Sequence, residues 1–354
     1  MEARRAGACK PLGSGSTQKF RTCFFLTMIP LGHYPTAVQR VEGLSSARSE
    51  LWIKRDDRTH EVYGGNKVRK LEWLLGDARD RGVRRVVTLG AVGSHHVLAT
   101  AIFARELDVP VEAVLVPQPP TPHVVENLCA GLGLGVRVFP APSFPHAALR
   151  LLERVARGAH YIPMGGSNLL GTLAYVDAAR ELAWQVRQGV LPEPKVVVVA
   201  LGSGGTAGGL AAGLALEGMK TRLVAVTVAG PPAWIARRAR LLAQAAVRYE
   251  TRRLGLLASP AIQMEINPSY LGRGYGQATE AGYRACRLAS ASGLALDLTY
   301  TAKAFAAALD LVDRRTEENV LFWHTLSCAP MDAWLARAPA ESNLSPSIRA
   351  LLKS

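Results

Sequence analysis

The run VVVVALGSGGTAGGL, residues 196–210, limits the fold of this chain more than any other stretch. Its first five residues are all apolar and mostly β-branched, so the segment reads as a strand covered on both faces. Such strands sit in parallel sheets with helices packed above and below, and the rest of the sequence supplies the helices. From residue 51 strand and helix patterns alternate. LWIK comes first, then a helical face of Val68, Leu71, Leu74, Leu75 and Ala78, then VVTL (86–89), a helix at 96–107 and VEAVLV (111–116). A helix at 124–132, VRVF (136–139), a long helix at 171–186, RLVAVTV (222–228), a helix at 301–312 and VLFW (320–323) continue the series. The expected class is α/β, built on open parallel sheets. At 354 residues the chain exceeds one small core, which points to two domains or one large domain with a lobe.

Ligands of open α/β sheets bind beyond the carboxyl ends of the strands. Four turns in such positions carry candidate chemistry. In GGNK, Asn66 reads as a helix N-cap and the glycines before it allow close backbone approach. Lys67 then lies in the first helical turn, where the helix dipole, Arg69 and Lys70 all disfavour its charged form; a lysine held as a free amine forms imines readily. The plain alternative is a solvated surface lysine. In ALGSGGTAGGL, the backbone N–H groups of Ser203 to Thr206 can converge on a phosphate. A dinucleotide fingerprint would need an acid after the next strand, but that strand ends in Thr227, Val228 and Ala229, so one phosphate monoester fits better. In LGAVGSHHVLAT, Ser94 caps a helix and suits a substrate carboxylate, while the adjacent His95 and His96 make a poor metal pair. In DLTYTAKA and FWHTLSCAP, Tyr300 and Thr325 offer hydroxyls near strand or helix ends. An imine-forming lysine, a one-phosphate cradle and a ring-facing hydroxyl together describe pyridoxal phosphate.

Charge and cysteine content exclude other classes. The net charge is +14, but the arginines are scattered without aromatic interleaving or a basic tract, which argues against nucleic-acid binding. The five cysteines are odd in number, with no CxxC pair, so neither a disulfide framework nor a metal site is expected and a reducing cytoplasm fits. The longest apolar runs fall short of the ~20 residues a membrane helix needs. Residues 1–30 read as a disordered extension with basic residues and a GSGST tract.

The segment LWIKRDDRTHEVYGGNKVRKLE, with GGSNLLGTLAYVDAARELAWQ and ALGSGGTAGGL, resembles the aminocyclopropane-carboxylate deaminase and D-cysteine desulfhydrase branch of the fold type II (tryptophan-synthase-β-like) pyridoxal-phosphate enzymes. The likeness runs from about residue 35 to 330. It implies two open parallel-sheet α/β domains with the cofactor between them: residues 31–75 and 171–354 in a larger cofactor domain, 76–170 in a smaller one. It implies that Lys67 holds the cofactor as a Schiff base beside Asn66, and that Gly202, Ser203, Gly204, Gly205 and Thr206 bind its phosphate. Thr325 pairs with the ring nitrogen, Ser94 meets the substrate carboxylate, and Tyr300 and Tyr275 take part in substrate chemistry. Thr301 follows Tyr300 where the deaminases of the branch carry glutamate, which leans toward desulfhydrase-like elimination. Two turns depart from the family. QSNH reads GSHH, placing Gly93 for a glutamine and His95 for the asparagine beside the cofactor's 3-hydroxyl, where a group titrating near neutrality is expected. HTGG reads HTLS, with Leu326 and Ser327 for the glycines. The resulting expectation is a cytoplasmic homodimeric lyase acting on a small amino acid. Its rivals are ring-opening deamination, a racemase-like or β-replacement enzyme, and a cofactor-binding protein without activity.

Overall fold

The computed structural model describes residues 28–45, 49–313 and 319–352. Its strands are β1 (Val38–Arg40), β2 (Glu50–Lys54), β3 (Val86–Ala91), β4 (Val111–Val116), β5 (Arg137–Pro140), β6 (His160–Ile162), β7 (Val196–Leu201), β8 (Arg222–Thr227), β9 (Met264–Asn267) and β10 (Asn319–Trp323). The longer helices are α1 (Asn66–Asp80), α2 (His95–Arg105), α3 (Pro122–Gly133), α4 (Phe144–Ala156), α5 (Leu169–Arg187), α6 (Gly205–Leu216), α7 (Pro232–Leu254), α8 (Glu280–Ala291) and α9 (Thr301–Asp313). Two sheets result. One has the order β1-β2-β10-β7-β8-β9, the other β5-β4-β3-β6. Every pairing is parallel except β1 with β2.

The valine run shows why the larger sheet is buried on both sides. Val196 and Val198 point into a core shared with Phe305 and Phe322, whereas Val197 and Val199 point into another with Tyr175 and Leu210. Period-two alternation thus serves two apolar layers. The smaller sheet repeats the device: Ala113 and Leu115 of β4 join the core under α1 and α2, and Val114 and Val116 the core against Ala147 of α4. Four elements, β1, α4, β6 and β9, have no counterpart in the sequence expectations. β1, β6 and β9 are only three or four residues long, and α4 follows Pro140 and Pro142, contains Pro145 in its first turn and leaves Leu149 and Leu152 exposed. Of the expected extension, residues 1–27 lie outside the described residues. Ile29 is buried and its N–H donates to the Glu72 carbonyl. No helix among the described residues is long and apolar enough to cross a membrane.

A buried ionic network ties α1 to the larger sheet. Arg69 donates to both oxygens of Asp56 (2.9 and 2.8 Å) and to Glu181 (3.0 and 3.1 Å). Lys54 pairs with Glu181, and the Tyr175 hydroxyl and Trp323 indole each donate to Asp56 Oδ2 at 2.8 Å. Burial alone would raise the Glu181 carboxyl; Arg69 and Lys54 overcome it and hold the group at about 2. Such charges survive burial because each has several partners, and the network fixes α1 two residues beyond Lys67.

Candidate active site

The turns after β3, β4, β7, β8 and β10 open onto one cavity of about 730 Å³. All the site residues expected from sequence line it except Gly205, whose N–H is already bonded to Ser167 Oγ (3.1 Å). At the start of α1 the N-cap is Gly65, with φ 88°, rather than Asn66. The reason is backbone crowding. A Cβ at Gly65 would lie 2.7 Å from the Thr325 carbonyl, and one at Gly64 would lie 2.1 Å from the Asp57 carbonyl. The turn after β10 is knitted to this one: Asn66 N–H donates to Thr325 O (3.1 Å) and Gly64 N–H to Ser327 Oγ (2.9 Å). Ser327, a departure from the family pattern, is therefore a structural tie.

Asn66, freed from capping, directs its side chain inward. Its amide donates to Thr206 Oγ1 (3.1 Å) and its Oδ1 accepts from Lys67 Nζ (2.7 Å). Burial lowers the Lys67 ammonium to about 8, against a smaller opposing pull from Asp297. Desolvation rather than neighbouring cations is the cause, since Arg69 is committed to Asp56 and Glu181.

The phosphate cradle differs from the expected one. Gly204, with φ 97°, is the N-cap of α6, and Gly202, Ser203, Gly204 and Thr206 line the cavity at that helix N-terminus. Two cations that the sequence did not single out converge there. Lys70 Nζ donates to the Gly165 carbonyl (3.0 Å) and to Ser167 Oγ (3.3 Å), and Arg238 Nη2 donates to the Ser167 carbonyl (2.8 Å). Burial first, then Lys67 and Arg238, push the Lys70 ammonium well down. Among the described residues no carboxylate pairs with Lys70, so this pocket lacks an anion. A phosphate bound at the 202–206 loop would supply one, and side-chain charge would then join backbone N–H groups in holding it. The spacing of i and i+3 on α1, which puts Lys70 on the face of Lys67, was the signal available in sequence.

The GSHH turn holds the largest correction. Ser94 caps α2, accepting from Val97 N–H (3.4 Å), which leaves its own proton free. The lost glutamine leaves no room at Gly93: a Cβ there would meet Val124 Cγ2 at 2.7 Å and Val124 Cα at 2.9 Å. Asn127 Nδ2 donates to the Gly93 carbonyl (3.0 Å), fastening α3 against this turn. His95 does not titrate near neutrality. Burial, then His123, depress it to about 3, so the ring is neutral. It is bonded at both nitrogens, Nδ1 to the Tyr63 hydroxyl (2.7 Å) and Nε2 to His123 Nε2 (2.8 Å).

Across the cavity the Tyr275 and Tyr300 hydroxyls are bonded to each other. Burial pushes Tyr275 up to about 12 and Tyr300 well above its ordinary range, so both stay protonated at neutral pH. Asp297 sets Tyr300 in place, accepting from the N–H groups of Thr299 (3.0 Å), Tyr300 (2.8 Å) and Thr301 (2.9 Å). Thr301 also donates its hydroxyl to Asp297 Oδ1 at 2.6 Å. An amine poised near neutrality, a glycine turn flanked by Lys70 and Arg238, and a hydroxyl-lined wall fit pyridoxal phosphate: Lys67 would take its aldehyde, Lys70 and the 202–206 loop would hold its phosphate, and Thr325 would offer its hydroxyl to the ring.

Comparison with known proteins agrees with this geometry. The family model described as pyridoxal-phosphate dependent enzyme matches residues 29–325. The nocardicin C-9' epimerase of Nocardia uniformis subsp. tsuyamanensis is 36% identical over 318 residues, covering 85% of this chain and 92% of its own. The D-cysteine desulfhydrase of Klebsiella pneumoniae (strain 342) is 36% identical over 309 residues, covering 82% and 91%. A crystal structure of an ACC deaminase homologue superposes with a TM-score of 0.73 at 28% identity, covering 88% of this chain and 97% of that one. The chain belongs to the family of pyridoxal-phosphate dependent enzymes, in its fold type II group.

Proposed function

We propose that this chain is a lyase of the D-cysteine desulfhydrase kind, removing a β-substituent from a small amino acid. The observation that carries the reading is the wall around Tyr300. The residue after it, Thr301, is buried and brings no carboxylate, and the Asp297 carboxylate in the lining is engaged by the N–H groups of Thr299, Tyr300 and Thr301 and by the Thr301 hydroxyl. What faces the substrate instead is a pair of protonated phenols. Bound pyridoxal phosphate supplies an electron sink that acidifies the α-carbon. The Ser94 hydroxyl and the first turn of α2 bind the substrate carboxylate. Lys67 Nζ, a free amine above about 8, takes the α-proton. Tyr300 Oη gives its proton to the departing group, and the Tyr275 hydroxyl, bonded to it, steadies the phenolate. As parts of the same reading, the enzyme is a cytoplasmic homodimer, and the exposed Leu149 and Leu152 of α4 support an uncovered surface for a second copy.

A second reading, epimerisation, is favoured by the mouth of the cavity. Phe144 and Trp234 line it and are 58% and 53% exposed, an apolar rim larger than a three-carbon substrate needs. The epimerase relative supports the same reading. One experiment separates the two: incubation with a panel of D- and L-amino acids in deuterated water. Oxo-acid release from D-cysteine supports the lyase. Deuterium gain with inversion and no oxo-acid overturns it in favour of the epimerase.

A further inference from the structure

His95 opens α2 and His123 stands in the first turn of α3, so two helix N-termini face each other through two imidazoles. Their rings lie 4.7 Å apart and share a hydrogen bond between the Nε2 atoms (2.8 Å). Three features of the sequence bring them together. Gly93 has no side chain to hold α3 off; Asn127 bonds the Gly93 carbonyl; and Thr121, followed by Pro122, caps α3 one turn from His123. On the inner side Tyr63, 2% exposed, lines the cavity and bonds His95 Nδ1. On the outer side the His123 side chain is 43% exposed, with Glu126 3.9 Å from Nδ1. Tyr63, His95 and His123 make one hydrogen-bonded line from the cavity to the surface.

We propose that Tyr63, His95 and His123 form a proton path between the catalytic cavity and bulk water, with His123 as its outer end. The proposal rests on the reading that α-proton chemistry takes place in this cavity. For inward transfer, a proton from water bonds His123 Nδ1 while the His123 Nε2–H bond breaks and its proton bonds His95 Nε2. His95 then gives its Nδ1 proton to Tyr63 Oη, and the hydroxyl proton of Tyr63 passes into the cavity. Each group gains one proton and loses one, so no charge stays on the line. Outward transfer reverses every step.

The surroundings favour passage over storage. Lys67, Asp297 and the Tyr300 ring face His95, and burial outweighs the pull of Asp297, keeping the imidazole neutral. His95 occupies the first turn of α2, where the dipole disfavours an imidazolium. A neutral imidazole bonded on both sides accepts at one nitrogen as it donates at the other.

The test uses holoenzyme labelled with ¹⁵N-histidine and follows by NMR the exchange of the His95 ring N–H with water. His123→Phe keeps a ring at the surface, and His123→Gln keeps a polar group, but neither relays a proton. Exchange at His95 should slow at least about a hundredfold in both, the low side of what a positioned proton carrier contributes. Tyr63→Phe should leave that exchange fast while slowing deuterium entry at the substrate α-carbon. Unchanged exchange in both His123 variants overturns the path, whatever the activity. Slowed exchange in an enzyme that labels no amino acid keeps the path and removes the assigned chemistry.

Discussion

At residue 67 the chain presents an amine whose ammonium form is unfavourable because water is absent, not because cations crowd it. Its value of about 8 sets the direction of a pH effect: below it Lys67 is mostly ammonium, above it mostly free amine. The rate at which cofactor-free protein gains visible absorbance on adding pyridoxal phosphate should therefore rise with pH and level off above about 8. A flat profile from 6 to 10 would mean that another group controls attachment. At the phosphate end, Gly204→Val forces a β-branched residue to φ 97°, and Lys70→Met deletes the buried cation. Each should weaken cofactor affinity by more than about tenfold, roughly 1.4 kcal/mol, as read by equilibrium dialysis. Unchanged affinity in Lys70→Met would return the phosphate to the backbone alone. Lys67 and the glycine loop were legible because local spacing specifies them. Lys70, Arg238, Tyr63 and His123 were not, since their roles come from pairings such as Lys70 with Ser167, 97 residues apart.

At the level of elements, α1 is held by charge and α3 by the lack of a side chain. Glu181 has its folded value at about 2, below the ordinary 4.5, so its contribution to stability is complete above 4.5 and is lost as pH falls through about 2. Glu181→Gln leaves Lys54 and Arg69 short of an anion in the interior. It should cost about 3–5 kcal/mol by denaturant unfolding and flatten the acid limb of stability. An acid limb identical to wild type would remove Glu181 from the account. Gly93→Gln, natural in the resembled family, should here displace Val124 and α3 and lower the melting temperature, because the new Cβ meets backbone at 2.9 Å. A melting temperature equal to wild type would show that α3 yields freely. The strands and helices with clean period-two or helical patterns were readable in advance. β1, β6 and β9 were not, because a three- or four-residue strand carries too little pattern to tell from a loop; nor was α4, because Pro140, Pro142 and Pro145 break the sequence at its start.

Across the whole molecule, two parallel sheets aim the carboxyl ends of their strands at one cavity, so residues from both ends of the sequence share it. Gly65 against Thr325 is the tightest instance, 260 positions apart in the chain and in backbone contact. The alternation of strands and helices made that architecture legible, and the position of each chemical group after a strand made most of the site legible. The packing of α3 onto the GSHH turn was not, because only the assembled fold shows which helix fills the space at Gly93. The central claim is that this cavity closes around pyridoxal phosphate joined to one lysine. Borohydride reduction of the purified holoenzyme, followed by peptide mass spectrometry, tests it directly. The account predicts a pyridoxyl adduct on Lys67 and none in Lys67→Ala; an adduct on Lys70, or on any lysine outside the cavity, would contradict it.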